Sequence, residues 1–217
     1  MSPHVHVPTI SQVNYTALKQ DCGIRAVVFD KDNTITAPYA TSVHDNALFG
    51  LQSALDTFGH ENVAIFSNSA GTKDDPDYND AKNIEKKMGI SVIRHDEKKP
   101  GGLKELLSHF NNVSDPTQVC MVGDRLLTDI VFGNLHGMLT VHCLPLCVGE
   151  ENRNDNKVAS AVRNIENKIL YGKWFVGKMI RKKTLGHAVW EGEKVCSLKV
   201  EVSGPSPASK EIGSGDN

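Results

Sequence analysis

The chain has 217 residues, 39% of them hydrophobic, with 24 basic and 26 acidic side chains. This supports one ordinary domain with a real core and excludes a global electrostatic pull toward nucleic acid. No apolar run approaches the ~20 residues of a membrane-spanning helix. Five cysteines (Cys22, Cys120, Cys143, Cys147 and Cys196) form an odd, scattered set in which Cys143-x-x-x-Cys147 lacks a second ligand pair. A zinc site is disfavoured, and reduced thiols in an intracellular compartment are expected. The N-terminal stretch has neither a secretory h-region nor the look of an Arg-rich transit peptide, and His4 and His6 read as part of a solvated tail.

In chain order, residues 25–29, with the apolar run Ala26-Val27-Val28-Phe29, read as a buried parallel strand. In 46–58, Leu48, Leu51, Leu55 and Phe58 fall at helical spacing, and Gly59 suits a C-cap. Strands are expected at 63–66, 90–93, 118–122 and 139–142. Helices are expected at 80–88, at 100–110 opened by Pro100, and at 126–135. This alternation implies an α/β fold: a Rossmann-like parallel five-stranded sheet with helices on both faces. The organisation reads as an N-terminal extension (1–23), a core (24–145), a basic helical segment with short strands (146–202) and a disordered tail (203–217).

Within the basic segment, residues 157–183 hold eight Lys or Arg and one acid, Glu166. Val158, Val162, Ile165, Ile169, Val176, Met179 and Ile180 form one helical stripe there, weakened by Gly172 and Gly177. Core packing is expected for its first half. Its second half, with Trp174 and Phe175, suits an anionic membrane surface or contact with a second copy of the chain.

Four strand ends carry the chemistry. Asp30-Lys31-Asp32-Asn33-Thr34 ends the first, Ser67-Asn68-Ser69 the second, Lys98-Lys99-Pro100 follows the third, and Gly123-Asp124-Arg125 ends the fourth, with Asp129 a helical turn on. Continued as extended chain, Asp30 and Asp32 would share a face. Two carboxylates about 4 Å apart repel by roughly 4 kcal/mol at a protein-like dielectric, so a cation or a proton is required. Singly, each of these residues reads as a turn, a cap or a surface charge. In a parallel sheet, however, the strand ends lie along one edge, where open α/β folds bind their ligands.

This series resembles the haloacid dehalogenase superfamily of phosphotransferases over roughly residues 24–145. The resemblance implies Asp30 as nucleophile and Asp32 as general acid and base. It implies Ser67 as a donor to the phosphoryl group and Lys99 as the cation that neutralises it. It also implies Mg2+ held by Asp30, the backbone carbonyl of Asp32 and Asp124, with Asp129 orienting a water or the loop. Only 36 residues lie between Asp30 and Ser67 and 31 between Ser67 and Lys99, so no large cap domain fits and an open site is expected.

Taken with Phe29, Ala70-Gly71, Arg94-His95, Gly101, Val122 and Thr128, the motifs are similar to the mitochondrial phosphatidylglycerophosphate phosphatase family of fungi. Val7-Pro8-Thr9-Ile10 also resembles that family's approach to the first strand. The likeness covers about residues 7–145. It implies release of the terminal phosphomonoester to give phosphatidylglycerol for cardiolipin biosynthesis, by a peripheral protein on the matrix side of the inner mitochondrial membrane. The substrate's internal phosphodiester needs a cation, for which Arg94, Lys98 and Arg125 are assigned, with Asn68 as a further substrate contact. The alternatives are an uncapped phosphatase acting on phosphoprotein or nucleic acid ends, and a non-catalytic phosphate-binding scaffold. No aromatic-basic groove signature favours nucleic acid.

Overall fold

The structure, a computed structural model, is described for residues 2–147. The basic stripe at 157–183 and the tail from Ser203 lie outside the described residues. Six parallel strands form one sheet: β1 (Val5–Val7), β2 (Ala26–Phe29), β3 (Val63–Ile65), β4 (Ser91–Val92), β5 (Val119–Gly123) and β6 (Leu139–Cys143). Their order is β1-β6-β5-β2-β3-β4. The helices are α1 (Tyr15–Gln20), α2 (Asp45–Phe58), α3 (Asn79–Met88), α4 (Leu103–His109) and α5 (Val131–Leu135).

The five-stranded expectation is corrected to six. Val5-His6-Val7 pairs with Val141-His142-Cys143 and forms the edge next to β6. Three residues are too few for alternation to register as a strand, so the segment read as tail. His4 is accordingly buried and His6 half-buried. His4 Nδ1 lies 2.7 Å from Thr140 Oγ1, and His6 Nδ1 lies 3.1 Å from His142 Nδ1.

Period-two alternation divides the core between the two faces of the sheet. Val27, Phe29, Val63, Ile65, Cys120 and Val122 face a cluster that includes Leu18, Leu51, Leu55, Phe58 and Ile84 from α1, α2 and α3. Ala26, Val28, Ala64, Val119 and Met121 face Leu106, Phe110 and Phe132 from α4 and its C-terminal flank and from α5. Helices thus cover both faces, as parallel strands require. Because every strand runs the same way, all strand-end loops emerge along one edge, the carboxyl edge. Cys22, Cys120, Cys143 and Cys147 are buried.

Two expected helices differ in form. Leu126–Ile130 is a π-helical segment that precedes α5, so the expected helix at 126–135 is split. Beyond β4, the Lys99-Pro100 peptide is cis and α4 starts only at Leu103.

Candidate active site

At the carboxyl edge, Asp30 leaves β2, Asp124 leaves β5, and Asp129 comes back from the π-helical segment. Three carboxylate oxygens, one from each of these residues, lie within 4.8 Å of one another, and all three residues are buried. Lys99, from the loop after β4, enters the same cluster. Its Nζ donates to Asp30 Oδ1 at 2.7 Å and to Asp129 Oδ1 at 2.5 Å, with the ammonium side chain 1% exposed. Burial alone would lower the Lys99 pKa, but the charges of Asp129 and Asp30 outweigh it and hold the ammonium above its ordinary range. Burial pushes the Asp129 carboxyl up to about 6, helped by the charge of Asp30 and opposed by Lys99. Three acids against one ammonium leave the cluster short of positive charge. Its all-oxygen donor set fits a hard dication such as Mg2+.

Asp124 is fully buried, and its carbonyl accepts from His142 Nε2 at 3.0 Å. Burial first, and the neighbouring His6 second, lower the His142 pKa to about 4, so this ring is neutral at physiological pH. The β1–β6 histidine pair therefore holds the backbone of Asp124 through His142. Asp129 Oδ2 also accepts from the backbone N–H of Arg125 at 3.1 Å, which fixes the turn after β5.

Strand alternation is not what orients Asp32 relative to Asp30. The strand stops at Phe29, so alternation does not extend to residue 32. Asp32 Oδ1 instead accepts from Lys31 Nζ at 2.5 Å and from the Tyr39 backbone N–H at 2.7 Å. Its Oδ2 accepts from Ser69 Oγ at 3.4 Å. The cation that the paired-acid argument demanded is thus Lys31 for Asp32 and Lys99 for Asp30.

Ser67 is 1% exposed, and its Oγ lies 3.0 Å from Ser69 Oγ. Asn68 Oδ1 accepts from the Lys99 backbone N–H at 2.7 Å, so it positions the lysine loop. Arg94 forms a two-pronged pair with Glu85, at 2.7 and 2.8 Å, and stacks over Tyr78. Lys98 pairs with Asp74. The charges of Arg94 and Lys98 are therefore engaged by acids outside the cluster. Arg125 stands next to Asp124, and its Nε makes no hydrogen bond among the described residues.

Sequence reasoning overlooked what His95 does. Its ring nitrogens lie 2.6 Å from Glu97 O and 2.8 Å from Ser67 O, which ties the β3 and β4 loops together, and its ring contacts Phe66. The sequence signals were its position just after a short strand and its place in the Arg94-His95 motif.

An open parallel sheet with a buried acid–lysine cluster at the carboxyl ends of its strands defines an α/β protein whose ligand site lies at that edge. Over residues 1–145 the chain matches the family described as "Mitochondrial PGP phosphatase", and it belongs to that family. It is 46% identical over 151 residues to phosphatidylglycerophosphate phosphatase 1, chloroplastic, of Chlamydomonas reinhardtii, covering 69% of this chain and 55% of the relative. It is 44% identical to the chloroplastic/mitochondrial phosphatidylglycerophosphate phosphatase 1 of Arabidopsis thaliana, covering 69% and 42%. It is 38% identical to the mitochondrial phosphatidylglycerophosphatase GEP4 of Saccharomyces cerevisiae, covering 62% and 73%. The chain thus spans about half the length of the first two relatives. No solved structure matches it.

Proposed function

We infer that this chain is a Mg2+-dependent phosphatase of haloacid dehalogenase type that converts phosphatidylglycerophosphate to phosphatidylglycerol. The observation that carries the reading is the Lys99 ammonium bridging Asp30 and Asp129 in a buried oxygen cluster at the strand ends. The printed names of the relatives supply the substrate.

Asp30 is the nucleophile. Its carboxylate oxygen bonds to phosphorus as the bond to the glycerol oxygen breaks, giving an aspartyl-phosphate. Asp32 delivers a proton to the departing alkoxide, then takes one from the water that cleaves the acyl phosphate and releases inorganic phosphate. The Lys31 and Tyr39 contacts hold Asp32 at the rim for this double duty. Ser67 turns its hydroxyl from Ser69 to a phosphoryl oxygen, and Lys99 balances charge on the nucleophile. Bound Mg2+ would supply electrophilic charge compensation for the phosphoryl oxygens. Asp30, Asp124, Asp129 and the Asp32 carbonyl are the groups that would hold it. Arg125 is the favoured cation for the internal phosphodiester, because it forms no ion pair among the described residues while Arg94 and Lys98 are paired.

This reading places the protein in mitochondria, on the matrix side of the inner membrane and peripheral to it. The test is release of phosphate from phosphatidylglycerophosphate in mixed micelles, with and without Mg2+, against a phosphopeptide and 3′-phosphorylated DNA. Faster turnover of either competitor would overturn the lipid assignment.

A further inference from the structure

Among the described residues, six large apolar side chains stand exposed: Tyr39, Leu48, Phe49, Leu127, Leu135 and Leu144. Exposed apolar residues scattered singly need no explanation, but a concentration on one surface marks an interaction site. Tyr39 lies on the loop after β2, and Leu48 and Phe49 lie near the start of α2, into which that loop feeds. Leu127 follows the end of β5 and Leu144 the end of β6. Strands β6, β5 and β2 are consecutive in the sheet and parallel. Five of the six therefore belong to the carboxyl edge, around the opening of the acid–lysine cluster. Leu135, at the C-terminal end of α5, is alone on the opposite side.

The segments that carry this rim are fixed by the site itself. Tyr39 adopts a left-handed backbone (φ 60°), a conformation that costs a bulky residue free energy. It is held there by its N–H on Asp32 Oδ1, while Lys31 Nζ donates to the next carbonyl, Ala40 O, at 3.1 Å. The Leu144 segment is strapped across the edge. Leu144 N–H donates to Pro8 O, and Leu146 and Cys147 N–H donate to Asn33 O and Oδ1. Exposed apolar side chains are thus carried on segments that hydrogen bonds tie to this edge.

The occupant follows from charge and from the substrate. The described residues end at Cys147 on this edge, and the sequence beyond it carries eight Lys or Arg against one acid over 157–183. That composition complements an anionic surface. The argument rests on the lipid reading above: a substrate whose acyl chains stay in a bilayer can bring its phosphate to Asp30 only if the carboxyl edge faces the bilayer. We propose that Phe49, Leu127 and Leu144, with Tyr39 and Leu48, seat the carboxyl edge of the sheet in the interfacial layer of an anionic phospholipid bilayer. The five side chains supply buried apolar area.

The test uses the full chain with Phe49→Ser, Leu127→Ser and Leu144→Ser combined, and Leu135→Ser as a control. Flotation is measured with vesicles of phosphatidylcholine and phosphatidylglycerol. Turnover of phosphatidylglycerophosphate in the same vesicles is divided by turnover of a soluble aryl phosphate. The triple variant is expected to lose about tenfold in vesicle partitioning and in that ratio, with Leu135→Ser unchanged. If circular dichroism shows the triple variant unfolded, Phe49→Ser and Leu127→Ser singly carry the test, each with about a threefold loss. Wild-type flotation and ratio in the substituted chains overturn the docking surface and leave residues beyond 147 as its cover. An equal loss from Leu135→Ser also overturns it. A wild-type protein that cleaves aryl phosphate but no phosphatidylglycerophosphate, in vesicles or micelles, overturns the lipid reading instead.

Discussion

Lys99 Nζ stands 2.7 Å from Asp30 Oδ1, joining residues 69 positions apart across β2 and the loop after β4. The same ammonium holds Asp129, so one cation organises two acids that arrive from different sides of the cluster. Asn68 fixes the Lys99 backbone, and His95 ties the Ser67 loop to Glu97 just ahead of it. The groups proposed to react therefore sit on loops that are cross-linked to each other, which is the preorganisation that the proposed electrostatic catalysis would need.

Replacing Lys99 by Met leaves buried carboxylates without their ammonium. Removing one partner of a buried ion pair costs about 3 kcal/mol, and phosphate release should fall by at least ~100-fold. Urea denaturation with and without Mg2+ checks this. The loss of stability should be partly recovered by Mg2+, because a dication can replace the missing charge.

Asp30→Asn should abolish phosphate release while the far-ultraviolet circular dichroism stays unchanged, because an amide is a far poorer nucleophile than a carboxylate. A chelator should silence the wild type equally. Activity that survives either treatment removes the aspartyl-phosphate route.

Asp75 provides a stability change readable by pH. It is 3% exposed, with Oδ2 accepting from Gly71 and Ala81 N–H and Oδ1 from Asp80 N–H, which anchors the start of α3. Burial pushes its pKa up, but these three backbone donors, helped by Arg94, bring it below the ordinary value. A carboxyl depressed in the folded state adds stability that is present above the unfolded value, near ~3.9, and lost as pH falls through the folded one. At neutral pH, Asp75→Asn should cost about 1–3 kcal/mol. The gap from wild type should narrow in acid below pH ~4 in matched thermal melts.

Arg94 and Arg125 should behave differently despite sitting at one edge. Arg94 is paired with Glu85, and that hydrogen-bonded pair is the leading cause both of the depressed Glu85 pKa and of the raised Arg94 pKa. Arg94→Ala should lower the melting temperature and reduce lipid and aryl phosphate turnover alike. Arg125→Ala should selectively raise KM for the lipid, by about tenfold for one lost charged contact. Equal losses on both substrates from Arg125→Ala would remove its specificity role.

The alternating fold was legible because apolar runs such as Val27-Val28-Phe29 and helix patterns such as Leu51, Leu55 and Phe58 are local signals. The strand-end placement of Asp30, Ser67, Lys99 and Asp124 followed from that alternation alone. The parts that escaped are tertiary. Strand β1 is three residues long, and its identity depends on β6 being beside it. The direction of Asp32 depends on where β2 stops and on Lys31, a charge that gave no sign in sequence of being buried. The Arg94–Glu85 pair is invisible in the sequence because Glu85 lies on α3 and meets Arg94 only when β4 packs there.

Gly123 offers a test of the cluster's geometry rather than its charges. It ends β5 directly before Asp124, and a Cβ there would overlap the Asp129 carboxylate. That carboxylate cannot simply give way, because it is bound by Lys99 Nζ on one oxygen and by Arg125 N–H on the other. In Gly123→Ala the backbone at Asp124 or the Asp129 side chain must shift by a few tenths of an ångström or more, separating the acids that the proposed metal would span. Mg2+ affinity, read by isothermal titration, should therefore weaken by about tenfold, in line with the cost of disturbing groups that orient metal ligands. Because the new methyl adds no charge and lies at a strand end, the loss of urea stability should stay near ~1–2 kcal/mol, within the range for overpacking. Unaltered Mg2+ affinity in a folded Gly123→Ala protein would show that Asp129 does not contribute to the metal site.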